Sequence, residues 1–184
     1  MMPLAAPAPL ALRSRDLARA LAALDATLAG MTPAQLAWHP AEKWSAAQAL
    51  DHLSITYSST ARLLEKVAQA AALQPLPSSL RGRAFAGIVT GLGYFPKGRK
   101  APEFTLPRGL APEEAVRAAR AGLIAMDAPL AACADRFGTA AKLAKHPVLG
   151  PLNARQWARF HWVHTRHHLR QIERLKTQAR GVET

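Results

Sequence analysis

Apolar residues recur at helical spacing in four long segments, and this periodicity constrains the fold of the chain more than any other feature. In the first segment the stripe consists of Leu17, Leu21, Leu24 and Leu28. A spacing of three or four residues places such side chains on one face of an α-helix. Alanine and leucine dominate and β-branched residues are scarce, which favours helix over strand. We therefore predict an all-α protein, a bundle of four amphipathic helices.

Capping patterns mark the starts of two predicted helices. Ser45 is followed three residues later by Gln48, and Asn153 by Gln156, as in a capping box. Three of the predicted helices cover approximately residues 14–30, 45–72 and 153–178, and the third in chain order starts near residue 112. Pro129 is expected to kink or end this third helix before the region of Gly138.

The segment between the second and third helices is unusually long. Residues 73–111 are rich in glycine, proline and basic side chains and predict a crossover insertion. A short helix is expected over 84–92, because long segments without structure are uncommon in compact domains. Residues 1–12 are apolar and proline-rich and predict a loose leader without the features of a secretory signal. We find no repeat and no second boundary, so the prediction is one domain over 1–184.

The composition excludes several kinds of site. The single cysteine, Cys133, rules out an internal disulfide and a cysteine-rich zinc site. No segment reaches the roughly 20 apolar residues that cross a bilayer, and we expect a cytoplasmic protein without membrane contact. The net charge of +12 could attract nucleic acid, but the arginines are scattered and few aromatic residues could stack on bases. We therefore expect a solvated basic surface and assign no nucleic-acid-binding residues.

Histidines occupy the inner face of the fourth predicted helix. At about 100° per residue, His161, His164 and His168 share that face with Trp157. A buried imidazole costs free energy unless it is hydrogen-bonded or bound to a metal. The spacing of His164 and His168 suits a divalent metal, and His52 on the second helix is the candidate third ligand. The residues alone leave two interpretations open, a three-histidine metal site and a set of polar core side chains.

Two motifs resemble those of the DinB-like superfamily. They read W-S-A-A-Q-A-L-D-H-L at Trp44–Leu53 and H-T-R-H-H-L-R-Q-I at His164–Ile172. Members of that superfamily are similar to one another as four-helix bundles that bind a divalent metal through three histidines. One of these histidines comes from the second helix and two come from an H-x-x-x-H motif on the last. The resemblance implies that His52, His164 and His168 are the metal ligands.

The resemblance covers about residues 38–175, and 146–157 looks like a bacterial subgroup of the superfamily, which names no substrate. Other members include transferases and isomerases that use low-molecular-weight thiols. The resemblance thus implies a metal-dependent enzyme, a hydrolase or thiol S-transferase, that activates water or a thiol for a small-molecule substrate. Zinc, nickel or iron would serve as the metal. The insertion over 76–107 departs from the family pattern and leaves the shape of the pocket open.

Four further residues are candidates for roles beside the ligands. Gln171 and Gln48 each lie one turn from a candidate ligand and could hydrogen-bond its imidazole, although Gln48 also suits the cap. His161 could be a fourth ligand or an acid–base group, but packing against Trp157 is favoured. Asp127, near the inner face of the third helix, could act as ligand or base, or could cap a turn.

Two alternative functions follow from the same residues. A non-catalytic interaction bundle would fold tightly without metal, and a dimer-forming face is expected around Trp162 and Leu169. A basic nucleic-acid binder would show strongly salt-dependent binding to DNA. The leading prediction remains the metal enzyme, expected to form a homodimer.

Overall fold

The computed structural model describes residues 12–95 and 101–180, with Arg180 described by its backbone alone. Over these residues the chain forms seven α-helices and one β-hairpin. The helices are α1 (Arg15–Leu28), α2 (Pro33–Ala37), α3 (Ala46–Gln69), α4 (Leu80–Ala86), α5 (Pro112–Ala125), α6 (Asp127–Phe137) and α7 (Ala154–Arg180). A π-helical turn (Gly87–Gly91) follows α4, and a 3₁₀ turn (Glu103–Thr105) lies further along the crossover. The hairpin pairs β1 (Ala144–His146) with β2 (Gly150–Leu152) in antiparallel register.

Four helical layers form the bundle: α1, α3, α5 together with α6, and α7. The most extensive packing is between α3 and α5 and between α1 and α7. The predicted apolar stripes supply the core, since Leu17, Leu53 and Leu123 are fully buried on three different helices. The all-α prediction is confirmed, and none of the helices in the described ranges is long and apolar enough to span a membrane.

A glycine sets the distance between α3 and α5. A Cβ at Gly122 would lie 3.1 Å from the Cβ of Tyr57 and 3.4 Å from the carbonyl oxygen of Ser54. Tyr57 is fully buried, and its hydroxyl lies 2.5 Å from the Oγ1 of Thr165 on α7. The absence of a side chain at Gly122 therefore lets α5 pack closely against α3. The Tyr57 hydroxyl connects α3 to α7, and these last two helices carry the candidate ligands.

Both predicted capping pairs are confirmed. The Oγ of Ser45 accepts the N–H of Gln48 at 3.1 Å, and the Oε1 of Gln48 accepts the N–H of Ser45 at 2.9 Å. Asn153 and Gln156 form the same reciprocal pair at distances of 2.9 and 3.2 Å. These bonds fix where α3 and α7 begin, and hence which way the histidines further along each helix point.

The third predicted helix divides at a different place from the one expected. α5 ends at Ala125 and α6 begins at Asp127, whereas the sequence predicted the break at Pro129. Pro129 instead lies in the first turn of α6, where a missing backbone N–H leaves no helical hydrogen bond unmade. The helix break therefore precedes the proline, because α6 begins two residues before Pro129.

Two elements were not predicted, α2 and the hairpin, and local side-chain bonds hold both. Thr32 and Gln35 cap α2 reciprocally, and the Nδ1 of His146 accepts the N–H groups of Val148 and Leu149 in the hairpin turn. The short crossover helix expected over 84–92 exists, but it begins at Leu80 and continues into the π-helical turn. Most of the predicted leader (1–11) and the crossover residues 96–100 lie outside the described residues.

The face predicted for dimer contact is wrong, because both of its residues are buried. Trp162 is 8 % exposed, and the guanidinium groups of Arg19 and Arg166 lie 4.8 and 5.7 Å from a ring centroid of its indole. Leu169 is 4 % exposed and belongs to the core cluster that contains Leu24. Neither side chain offers an apolar surface to a partner.

Candidate metal centre

Three histidines from two helices converge in the bundle. The Nε2 of His164 lies 3.2 Å from the Nε2 of His52 and 3.1 Å from the Nε2 of His168. One nitrogen from each residue falls within a group whose members lie within 4.8 Å of one another. The side chains are 3, 5 and 7 % exposed for His52, His164 and His168. The sequence placed His164 and His168 on the inner face of the fourth predicted helix, and the structure brings their ring nitrogens together with that of His52.

Hydrogen bonds fix the orientation of two of the imidazoles. His52 donates its Nδ1–H to the carbonyl oxygen of Thr105, 2.7 Å away. His168 donates its Nδ1–H to the Oε1 of Gln171 at 2.9 Å. A neutral imidazole has one N–H, so in both rings the Nε2 presents a lone pair to the centre of the cluster. This arrangement is typical of histidines that bind a metal through Nε2.

The third imidazole is not satisfied by hydrogen bonding. The Nδ1 of His164 is buried and has no hydrogen-bond partner among the described residues. Its Nε2 faces two lone pairs, from His52 and His168, and its single proton could serve only one of them. Imidazole nitrogens about 2.05 Å from a tetrahedral zinc ion lie about 3.3 Å apart, close to the distances found here. The set of donors is therefore compatible with a divalent metal.

The environment keeps all three imidazoles neutral. Burial and the neighbouring imidazoles lower the pKa of His164 well below its ordinary value. Burial, helped by His52 and His167, lowers the pKa of His168 to about 3. For His52, burial lowers the pKa although the Thr105 carbonyl and a nearby carboxylate act in the opposite direction. Neutral imidazole is the form that binds metals, so the cluster is ready for a cation at pH 7.

Aromatic rings surround the histidines. The Trp44 ring centroid lies 5.2 Å from that of His52, and it stacks on His168 at 6.4 Å. Phe95 and Phe160 both stack on His164, with centroids 5.1 and 5.4 Å away. These rings place the nitrogens in an apolar environment, where electrostatic interactions are stronger than in water.

The comparison with known families agrees with this geometry. Residues 16–172 match the sequence model of the DinB superfamily. The chain belongs to the DinB superfamily. The matched region begins in α1 and ends in α7, so it contains all three converging histidines and the whole crossover. No curated protein and no solved structure matches the chain significantly.

Asp51, the residue before His52, is a buried carboxylate that holds the loop that orients His52. Sequence reasoning missed this role of Asp51 in the DinB-superfamily chain. Asp51 is 1 % exposed, and its Oδ2 accepts the backbone N–H groups of Arg108, Gly109 and Leu110 at 2.6, 3.0 and 3.3 Å. Its Oδ1 accepts the Nε–H and an Nη2–H of Arg108 at 3.1 and 2.9 Å. Burial alone would raise the pKa of Asp51, but these hydrogen bonds hold it below its ordinary value. The available signal was an aspartate between Leu50 and His52, within the motif that carries the family resemblance.

This carboxylate clamp connects the crossover to the histidines. The loop residues that Asp51 holds begin three positions after Thr105, whose carbonyl orients His52. A carboxylate that accepts several N–H groups is a strong and directional anchor. Asp51 therefore acts on the cluster through Thr105 rather than by direct contact with the converging nitrogens.

Of the other predicted site residues, one lies at the cluster. Gln171 hydrogen-bonds His168 as expected, whereas Gln48 serves the cap of α3. His161 is fully buried, stacks on Trp157 with centroids 6.1 Å apart and places its Nε2 3.1 Å from the Oγ1 of Thr60. It does not belong to the converging group found in the described ranges.

The structure places Asp127 at the start of α1, not with the histidines. Its carboxylate accepts the backbone N–H groups of Arg13 and Ser14 at 2.7 and 2.9 Å. These bonds join α6 to the first residues of α1 and occupy both carboxylate oxygens. The turn-capping alternative describes its contacts better than a role as ligand or base.

Proposed function

We propose that this member of the DinB superfamily is a metal-dependent enzyme whose divalent ion is held by His52, His164 and His168. The observation that carries the proposal is the convergence of three neutral imidazoles with Nε2 separations of 3.1 and 3.2 Å. Zinc, nickel and iron all accept imidazole nitrogen, and three protein ligands leave a position open for water or substrate. The ion would supply Lewis acidity that favours the deprotonated form of a water or a thiol, so the proposed reaction is hydrolysis or thiol transfer.

The protein's own groups orient the ligands and exclude solvent. The Thr105 carbonyl and the Gln171 side chain make the imidazoles that they contact more basic and hold their rings in place. Trp44 and Phe95 shield the cluster, which favours a small-molecule substrate over a macromolecule. A low-molecular-weight thiol co-substrate belongs to the thiol-transfer form of this proposal.

Elemental analysis of untagged protein purified without chelator tests the metal site. We expect about one metal ion per chain, lost in His164→Ala and in His168→Ala. His39→Ala is the matched control, because His39 is exposed and does not belong to the converging group found in the described ranges. Circular dichroism of each variant separates loss of metal from loss of fold.

Two results would contradict the proposal. Stoichiometric metal in either ligand variant would refute the ligand set. No metal after reconstitution at neutral pH would make the histidines polar core residues and favour the non-catalytic bundle. If metal binds, hydrolysis and thiol-transfer assays with metal-free protein as the blank distinguish the two reaction types.

The homodimer and the cytoplasmic location predicted from the sequence remain parts of the proposal. Light scattering of the purified protein gives the mass of the assembly, and a monomeric mass would remove the dimer. Fractionation of cells that express the native chain tests the location.

A further inference from the structure

A basic groove lies where α1 and α7 begin, away from the three histidines. It encloses about 930 Å³ and is lined by residues from the start of both helices and from the turn Gly87–Gly91. Its cationic lining side chains are Arg15, Arg19, Arg155 and Arg159. Within the part of the chain that the structure describes, Asp16 is the one carboxylate that lines it. The groove therefore carries a clear excess of positive charge.

Two of the four arginines are held in place by neighbouring side chains. The guanidinium of Arg19 lies 4.8 Å from the Trp162 ring, in cation–π contact. An Nη1 of Arg159 lies 3.4 Å from the Asp16 carboxylate. Arg15 and Arg155 are exposed at the ends of the same two helices. Guanidinium groups fixed before binding lose less conformational freedom when an anion arrives.

The surroundings add to the positive potential. Burial lowers the pKa of Arg166, and the positive charges of Arg170, Arg159 and Arg19 lower it further. The N-terminal ends of α1 and α7, helices of 14 and 27 residues, add the positive ends of their dipoles. Asp16 offsets only part of this charge.

We propose that the groove binds a phosphorylated small molecule through its phosphate groups. Arginine presents paired N–H donors that match phosphate oxygens, and the volume is typical of small-molecule sites. Among the described residues that line the groove none is aromatic, so these residues offer no surface on which unpaired bases could stack. The groove and the histidine cluster have none of their described residues in common, so anion binding in the groove can be tested independently of the metal.

Calorimetric titration of metal-free protein with inorganic phosphate, pyrophosphate and ADP tests the inference. We expect one ligand per chain, with binding weakened roughly tenfold or more by the double variant Arg15→Gln/Arg155→Gln. The matched control is Arg62→Gln/Arg117→Gln, which removes the same charge from exposed positions on α3 and α5 and should bind as the native protein does. Thermal melts establish that both variants fold.

The ligands distinguish the source of the phosphate. Equal affinity for inorganic phosphate, pyrophosphate and ADP would show that free phosphate is sufficient for binding. Binding of ADP at least tenfold tighter than that of the other two would identify an organic phosphate as the ligand. Either result supports the site. No binding at millimolar concentrations, or equal weakening in the control, overturns the proposal. Preference for a short DNA duplex over ADP at the same salt concentration also overturns it, in favour of a nucleic-acid surface.

Discussion

Replacing Asp51 with asparagine should loosen the loop that orients His52 without changing any metal ligand. An asparagine side chain retains one acceptor oxygen and replaces the other with an NH₂ donor. If the NH₂ group faces Arg108, the two hydrogen bonds from the guanidinium are lost. If it faces the loop, the three hydrogen bonds from the backbone N–H groups are lost instead. The first orientation loses fewer bonds and is the one expected.

The size of the effect follows from those two bonds. A hydrogen bond to a charged group contributes about 1.5 kcal/mol or more, and Arg108 can turn to water once released, so we expect a loss of about 2 kcal/mol in unfolding free energy. For a chain of this length that corresponds to a fall in Tm of about 4–8 °C. Because Thr105 would orient His52 less firmly, metal affinity should fall roughly tenfold.

Urea unfolding with chelator present measures the first effect, and zinc competition against a chromophoric chelator at pH 7.5 measures the second. The matched control is Asp135→Asn, since Asp135 pairs with Arg13 at 2.8 Å with both side chains more than half exposed. That change removes only a solvent-exposed ion pair, so it should alter stability much less than Asp51→Asn does. A loss of stability with unchanged zinc affinity would refute the link from Asp51 to His52. A loss no larger than the control's would refute the clamp itself.

Two further changes test the packing and the buried imidazoles. Gly122→Ala should lower the unfolding free energy by about 1–3 kcal/mol, because the new methyl group would press on Tyr57; unchanged urea unfolding would show that α5 can shift freely. Burial lowers the pKa of His146 to about 4 from 6.5, so its contribution to stability is complete above pH 6.5 and declines as the pH falls toward 4. The variant His146→Asn keeps an acceptor for the hairpin turn but has no group that titrates in this range. When the pH falls from 7.5 to 5.5, its free energy of unfolding, measured in urea, should therefore decrease by about 1 kcal/mol less than that of the native protein. Equal losses would mean that His146 is protonated in the folded protein.

The sequence predicted the features that depend on neighbours along one helix. The stripe that contains Leu17 and the i, i+4 pair His164 and His168 are local periodic signals, and the geometry follows them. The Asp51 clamp could not be predicted, because its partner Arg108 is 57 positions away in an irregular loop. Trp162 was misassigned for a similar reason, since the guanidinium that covers it from α1 becomes a neighbour only in the folded bundle.

The contact between His52 and His164 joins positions 112 residues apart in a chain with one cysteine. A metal ion held there would act as a reversible cross-link that closes a loop of more than half the protein. By the chain-entropy argument used for disulfides, closing a loop of about 100 residues stabilises the folded state by about 4–5 kcal/mol. A chelator, rather than a reductant, would open this link, and the change in unfolding free energy on chelation measures its strength.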